Sequence, residues 1–282
     1  MMRGLHTPVR AIRRRVFKEV AQLGFKADAD TLLADMEAIP YAIVNEDSEK
    51  YRESVYRARA IVRERLRLAM GLSLRPENKP VHLTAGVEAS NISEKYYEPP
   101  LMQVIPSACE SCEENKYEVS NICKGCLAHP CQEVCPKDAI SMVNGRSYID
   151  QEKCIKCGKC KSVCPYDAIA KKERPCQKAC GVNAIKSDKM GRAYIDNEKC
   201  VSCGMCMVSC PFGAISDKSQ IFQLARALSE GENVIAEIAP AFVGQFGDNI
   251  TPRNIKAALR ELGFSEVYEV ALGADIGAIA EA

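Results

Sequence analysis

The 282-residue chain is short of several things, and each shortage narrows its function. Net charge is nearly absent: 38 Lys and Arg face 37 Asp and Glu, leaving +1. That argues against nucleic acid as the main partner, since binding phosphates needs a concentrated basic excess. No apolar run approaches the roughly 18 residues needed to span a bilayer. There is no glycine-rich phosphate loop, no flavin fingerprint and no nucleophile elbow. Cysteine is absent from both flanks: all 16 lie between Cys109 and Cys210. With 47% hydrophobic and 27% charged residues the composition is that of an ordinary globular protein, which excludes disorder and collagen.

The N-terminus carries a twin-arginine-like run, Arg14-Arg15-Val16-Phe17-Lys18. An export signal would continue into an apolar stretch. This one continues as Glu19-Val20-Ala21-Gln22-Leu23-Gly24-Phe25-Lys26, so a cytoplasmic chain with reduced thiols is expected.

Residues 1–75 read as helices. Thr7-Pro8 opens one with an apolar stripe of Val9, Ile12, Val16, Val20 and Leu23, ended by Gly24. A second should start near Asp30 and stop before Pro40, carrying Leu32, Leu33 and Met36. Ser48 should cap a third, with Tyr51, Val55, Ala58, Val62 and Ala69 inward and Gly71 at its end. Fifteen basic and ten acidic residues here make either a solvated face or a docking surface for an acidic electron carrier. Prolines 76, 80, 99 and 100 mark 76–108 as an extended linker.

Residues 123–216 hold an internal repeat. Cys154 maps to Cys200 with a shift of 46, and Cys135 to Cys180 with a shift of 45. The odd residue falls in a turn between two short strands, which in the first copy is Asn144-Gly145, a tight-hairpin signal. Each copy reads as cysteine loop, hairpin, cysteine loop, short helix. Beyond it come a helix over Gln220–Leu228, a strand over Asn233–Ala239, a helix over Pro252–Leu262 ending at Gly263, and a strand over Val267–Leu272. Another helix begins at Gly273-Ala274-Asp275-Ile276. Strand, helix, strand at this spacing predicts a parallel unit, and two parallel strands alone leave faces and edges uncovered.

Two cysteine runs, Cys154-x2-Cys157-x2-Cys160-x3-Cys164-Pro165 and Cys200-x2-Cys203-x2-Cys206-x3-Cys210-Pro211, have the spacing of the bacterial [4Fe–4S] ferredoxin site. Three thiolates three residues apart wrap a loop around one cluster, and the fourth ligates the other. Zinc and disulfides give no reason for such a repeat. The first copy opens with Cys123-x2-Cys126-x4-Cys131-x3-Cys135-Pro136. The same rule makes one cluster from Cys123, Cys126, Cys131 and Cys164, and a second from Cys135, Cys154, Cys157 and Cys160. The second copy opens only with Cys176-x3-Cys180-Gly181. Cys180 completes a third cluster with Cys200, Cys203 and Cys206. Cys109, Cys112, Cys176 and Cys210 remain for a fourth; the rival is a zinc ribbon of Cys109, Cys112, Cys123 and Cys126. His129, inside the first loop, either contacts a cluster or packs beside Pro130. Lys153 and Lys199 precede cluster cysteines and either tune a potential or are solvated. His6 and His82 have no partners in sequence.

The cysteine segment resembles polyferredoxins and bacterial two-[4Fe–4S] ferredoxins, and its opening variant resembles subunits that wire molybdenum oxidoreductases. Ala236-Glu-Ile-Ala-Pro240-Ala-Phe-Val-Gly-Gln-Phe-Gly247, Ile255-Lys-Ala-Ala-Leu-Arg-Glu-Leu-Gly-Phe264, Val267-Tyr-Glu-Val270 and Gly273-Ala-Asp275 resemble the start of the [FeFe] hydrogenase catalytic domain. With Cys126-Leu-Ala-His-Pro-Cys131 and the N-terminal helices, the chain is most similar to the monomeric group B of that family. The resemblance implies four [4Fe–4S] clusters that pass single electrons between a soluble ferredoxin and a catalytic hydrogenase domain or subunit, in an anaerobic cytoplasm. That family binds its H-cluster through cysteines downstream, in motifs such as T-S-C-C-P, and this chain has none after Cys210. The expectation is therefore an electron-input portion, not catalytic alone. A standalone polyferredoxin subunit is the alternative and a redox sensor the third. The expected fold is α+β: a helical bundle over 1–75, the linker over 76–108, tandem ferredoxin-like modules over 109–217, and an incomplete α/β segment over 218–282.

Overall fold

The computed structural model describes residues 6–26, 29–45, 52–92, 98–247 and 249–281. The chain mixes helices with small two-stranded sheets. In order the helices are α1 (Pro8–Lys26), α2 (Ala29–Ile43), α3 (Val55–Ala69), α4 (Val87–Ser90), α5 (Pro130–Glu133), α6 (Lys159–Ser162), α7 (Pro175–Lys178), α8 (Met205–Ser209), α9 (Ile221–Ser229), α10 (Pro252–Glu261) and α11 (Val270–Glu281). The strands are β1 (Met102–Val104), β2 (Lys116–Val119), β3 (Ile140–Val143), β4 (Arg146–Ile149), β5 (Ile169–Lys172), β6 (Ile185–Ser187), β7 (Ala193–Ile195), β8 (Ile215–Asp217), β9 (Ile235–Ile238) and β10 (Glu266–Glu269). Two units form: residues 104–216, and 6–103 together with 217–282.

In the second of these units the core gathers Val16, Val20, Leu23, Met36, Ile43, Val62, Leu66 and Phe222, from α1, α2, α3 and α9. Helix α1 opens as expected, with the Thr7 hydroxyl accepting from the Arg10 N–H at 3.3 Å. It does not end at Gly24. That residue is buried inside the helix, and a Cβ there would lie 2.6 Å from the Ala225 Cβ of α9. The glycine is a close-approach site, not a cap.

Helix α2 likewise runs through Pro40 to Ile43. An interior proline costs about 3 kcal/mol. Burying Met36, Ile39 and Ile43 returns roughly 1.5–3 kcal/mol each, so packing overrides the breaker. Leu33, expected inward, is 44% exposed. The expected Ser48 cap and Tyr51 contact lie outside the described residues. The N-cap of α3 is Ser54, whose hydroxyl accepts from the Arg57 N–H at 3.1 Å. Gly71, at φ 78°, follows the helix end as expected.

Within the expected linker, residues 83–90 are packed. Leu83 and Val87 enter the core, and the buried Arg67 guanidinium donates to the Leu83 and Ala85 carbonyls at 2.6 and 2.8 Å. Further on, β9 and β10 pair in parallel, with Ala236 opposite Val267 and both buried. Residues Val270–Leu272, expected as strand, begin α11 instead. A short apolar run does not by itself separate the two conformations.

In residues 104–216, β3 and β4 form a hairpin closed by Asn144 and Gly145, both at positive φ, as the Asn-Gly pair predicts. Strands β6 and β7 form the matching hairpin, and β2 pairs antiparallel with β5. Tyr117, Ile140, Ile149 and Ile169 make a small core with the Cys131 and Cys160 side chains.

Candidate iron–sulfur centres

One local geometry recurs four times. In the first Cys-x2-Cys of each loop the residue before the second cysteine is left-handed: Ser111 (φ 45°), Gly125 (57°), Lys156 (59°) and Ser202 (54°). After each closing cysteine the third residue is left-handed too: Asp138 (47°), Asp167 (48°), Asn183 (52°) and Gly213 (60°). The Asp, Asn and Gly at this second position are residue types that tolerate that region. The turn aims the next N–H at sulfur. Ala139, Ala168, Ala184 and Ala214 donate to Cys135, Cys164, Cys180 and Cys210 Sγ at 3.3, 3.3, 3.2 and 3.3 Å. Such bonds stabilise negative charge on a thiolate.

Two cavities each gather four cysteines. One cavity is lined by Cys123, Cys126, Cys131 and Cys164, with Pro130, Pro165 and Ile169. A second is lined by Cys135, Cys154, Cys157 and Cys160, with Ile140, Ile149 and Tyr117. Burial pushes the Cys206 thiol up to about 11, and Cys200 and Cys180 beside it add to the shift. Burial pushes Cys176 up to about 12, with Cys210 and Cys109 adding and Arg174 opposing. Cys112 is also raised, by burial and then by Cys210 and Cys109. Cys109 and Cys112 therefore stand beside Cys176 and Cys210, whereas Cys123 and Cys126 line a different cavity. Cys203, like Cys157, is exposed. None of the sixteen is in a disulfide. Where cavities form, the thiols surround a space.

The donor set fits [4Fe–4S] clusters: four sulfurs around an apolar cavity, with backbone N–H groups on them. Cys123 differs from its neighbours. Burial pushes its thiol up, but N–H donation from Ser147 and Gly125, the Ser147 hydroxyl and the charge of Arg146 hold it below the ordinary value. The Ser147 hydroxyl also lies 3.3 Å from Cys131 Sγ.

Two supporting residues, Ser147 and Arg174, carry no sequence signal. Arg174 is buried, and its guanidinium donates to the Cys112 carbonyl from Nε and Nη2 at 3.0 and 2.8 Å, and to the Gly191 carbonyl at 2.8 Å. His129 is a half-buried left-handed residue that opens α5; its N–H donates to the Cys126 carbonyl at 3.2 Å. Lys153 is exposed and 3.9 Å from Asp150; Lys199, His6 and His82 are exposed.

Comparison with known proteins agrees with this chemistry. Residues 123–174 match the LdpA Fe-S cluster-binding domain, 193–216 the 4Fe-4S binding domain, and 232–282 the C-terminal domain of the iron only hydrogenase large subunit. An uncharacterized ferredoxin of Methanocaldococcus jannaschii is 33% identical over 99 residues, 28% of this chain and 63% of that protein. The electron transport protein HydN of Escherichia coli is 37% identical over 71 residues, 25% of this chain and 41% of its own length. A 7Fe ferredoxin of Hydrogenibacillus schlegelii is 43% identical over 53 residues, 19% of this chain and 68% of the ferredoxin. The chain thus spans less than two thirds of the first two.

Proposed function

The chain belongs, through its cysteine segment, to the ferredoxin family, and we propose that it is a four-cluster relay serving a hydrogenase-like catalytic partner. It is an iron–sulfur electron-transfer protein with a hydrogenase-like segment over 232–282. The ligand sets are those stated above: Cys123, Cys126, Cys131, Cys164; Cys135, Cys154, Cys157, Cys160; Cys180, Cys200, Cys203, Cys206; and Cys109, Cys112, Cys176, Cys210. One observation carries the fourth set. Cys109-Glu-Ser-Cys112 has the same left-handed turn as the other three loops, and it stands beside two cysteines that the other three sets leave over. That placement favours a cubane over a zinc ribbon.

A [4Fe–4S] cluster, when bound, accepts and returns one electron. The protein's part is to hold the thiolates, bond them through N–H groups and exclude water with Ile140, Ile149 and Ile169, which together set the potential. An α+β arrangement is part of the proposal: a helical bundle whose core takes in Leu83, Val87 and Phe222 of α9, tandem modules over 109–217, and an α/β segment after α9. So are a cytoplasmic, anaerobic setting, kinship with the group B hydrogenases, and exchange with a soluble ferredoxin. The likeness to HydN supports a standalone subunit as the second version.

Anaerobic reductive titration tests the relay. About four electrons per chain are expected, one per cluster. Uptake of one electron or none would overturn it.

A further inference from the structure

The two halves of the repeat provide an internal control. They share the loop, the left-handed turns and the N–H···S bonds, so residues that differ between them are not needed to build the site. The difference is in charge. Lys137, Lys156, Lys159 and Lys161 of the first copy correspond to Val182, Ser202, Met205 and Met207 of the second. Over residues 135–139 and 150–164 the first copy has five lysines against three carboxylates; over 180–184 and 196–210 the second has one lysine against two.

All four lysines are exposed. Lys137 and Lys159 line the cavity of Cys135, Cys154, Cys157 and Cys160. Lys156 lies inside its Cys-x2-Cys, and Lys161 on α6. Of the carboxylates, Asp150 is tied to its own turn, its Oδ1 accepting from the Glu152 and Lys153 N–H groups at 2.9 and 3.4 Å and its Oδ2 3.9 Å from the Lys153 Nζ. Asp138 and Glu152 are exposed. Within the basic rim are Cys157, an exposed thiol of this set, and Ile155, 55% exposed. A small apolar centre with a charged rim is the form of a transient interface, in which charge sets the encounter rate.

We infer that this face is the entry port of the relay, and that it docks a small acidic protein carrying one electron at a time. The inference rests on assigning Cys135, Cys154, Cys157 and Cys160 to one cluster. It places the docking surface here rather than on the basic face of residues 1–75.

The test uses the full chain with clusters reconstituted anaerobically, and a strongly acidic two-[4Fe–4S] ferredoxin as electron donor in stopped flow. In the wild type the second-order rate constant should fall steeply with added salt. The triple variant Lys137→Gln, Lys159→Gln, Lys161→Gln should lower it on the order of tenfold at low salt and flatten the salt dependence. The Glu triple should lower it further. Iron content and the electron paramagnetic spectrum should stay those of wild type. As a control, Arg14→Gln with Lys18→Gln on α1 should leave the rate unchanged. A salt-independent wild-type rate would overturn the port without any variant. So would a triple variant with intact clusters and unchanged rate, or an equal loss from the α1 pair. Absence of iron from the wild type would instead overturn the ligand assignment beneath it.

Discussion

Replacing Arg174 by methionine should empty one cluster site and leave the others filled. Arg174 is 2% exposed, and its guanidinium joins three segments. It holds the Cys112 carbonyl through two bonds of 3.0 and 2.8 Å, the Gly191 carbonyl at 2.8 Å and the Lys186 carbonyl at 3.4 Å. It sits just before α7, which carries Cys176. Bonds to a charged donor contribute about 1.5–3 kcal/mol each. Methionine removes those to Cys112 and Gly191 and leaves both acceptors without that donor. Relief from burying the charge offsets part of the loss. A net of about 3 kcal/mol remains, a factor on the order of 100 in the closing of the Cys109–Cys112 loop. Iron and acid-labile sulfide should fall by about four per chain, and the anaerobic melting temperature should drop. Arg174→Lys keeps the charge but loses the fork that spans two carbonyls, so its iron should be intermediate. Full iron and unchanged melting in the methionine variant would refute this account of Arg174.

Two glycines give further predictions. In Gly24→Ala the new Cβ would meet the Ala225 Cβ at 2.6 Å and the Phe222 carbonyl at 2.8 Å. Overpacking of about 1–3 kcal/mol should exceed the helix-propensity gain of about 1 kcal/mol, giving a lower melting temperature; a higher one contradicts the packing. In Gly125→Ala the Cβ would lie 2.1 Å from the Gly145 carbonyl oxygen, at a backbone φ of 57°. The loop bearing Cys123 and Cys126 should fail to close, with loss of about four iron. Retention of all iron would show that the hairpin yields.

The cysteine spacing made the chemistry legible because a cubane imposes a fixed loop period, and because Asn144-Gly145 leaves the hairpin little choice. The helices were harder. Gly24 and Pro40 carry stop signals, yet both lie inside helices, since the Ala225 contact and the burial of Ile39 and Ile43 act over distances no local pattern encodes. Leu83 and Val87 look like linker residues until the carbonyls gripped by Arg67 fix that segment. Nothing local marks Arg174 or Ser147, whose roles arise from segments brought together by folding. The lysine rim was present in the sequence, but it has meaning only once the second copy is laid beside the first on a shared loop.

The central claim is that sixteen cysteines form four sets of four. Iron, acid-labile sulfide and zinc measured together on anaerobically purified full chain test it most directly. The account predicts about 16 iron and 16 sulfide with no zinc. About 12 iron or fewer with one zinc would contradict it, returning Cys109 and Cys112 to a ribbon.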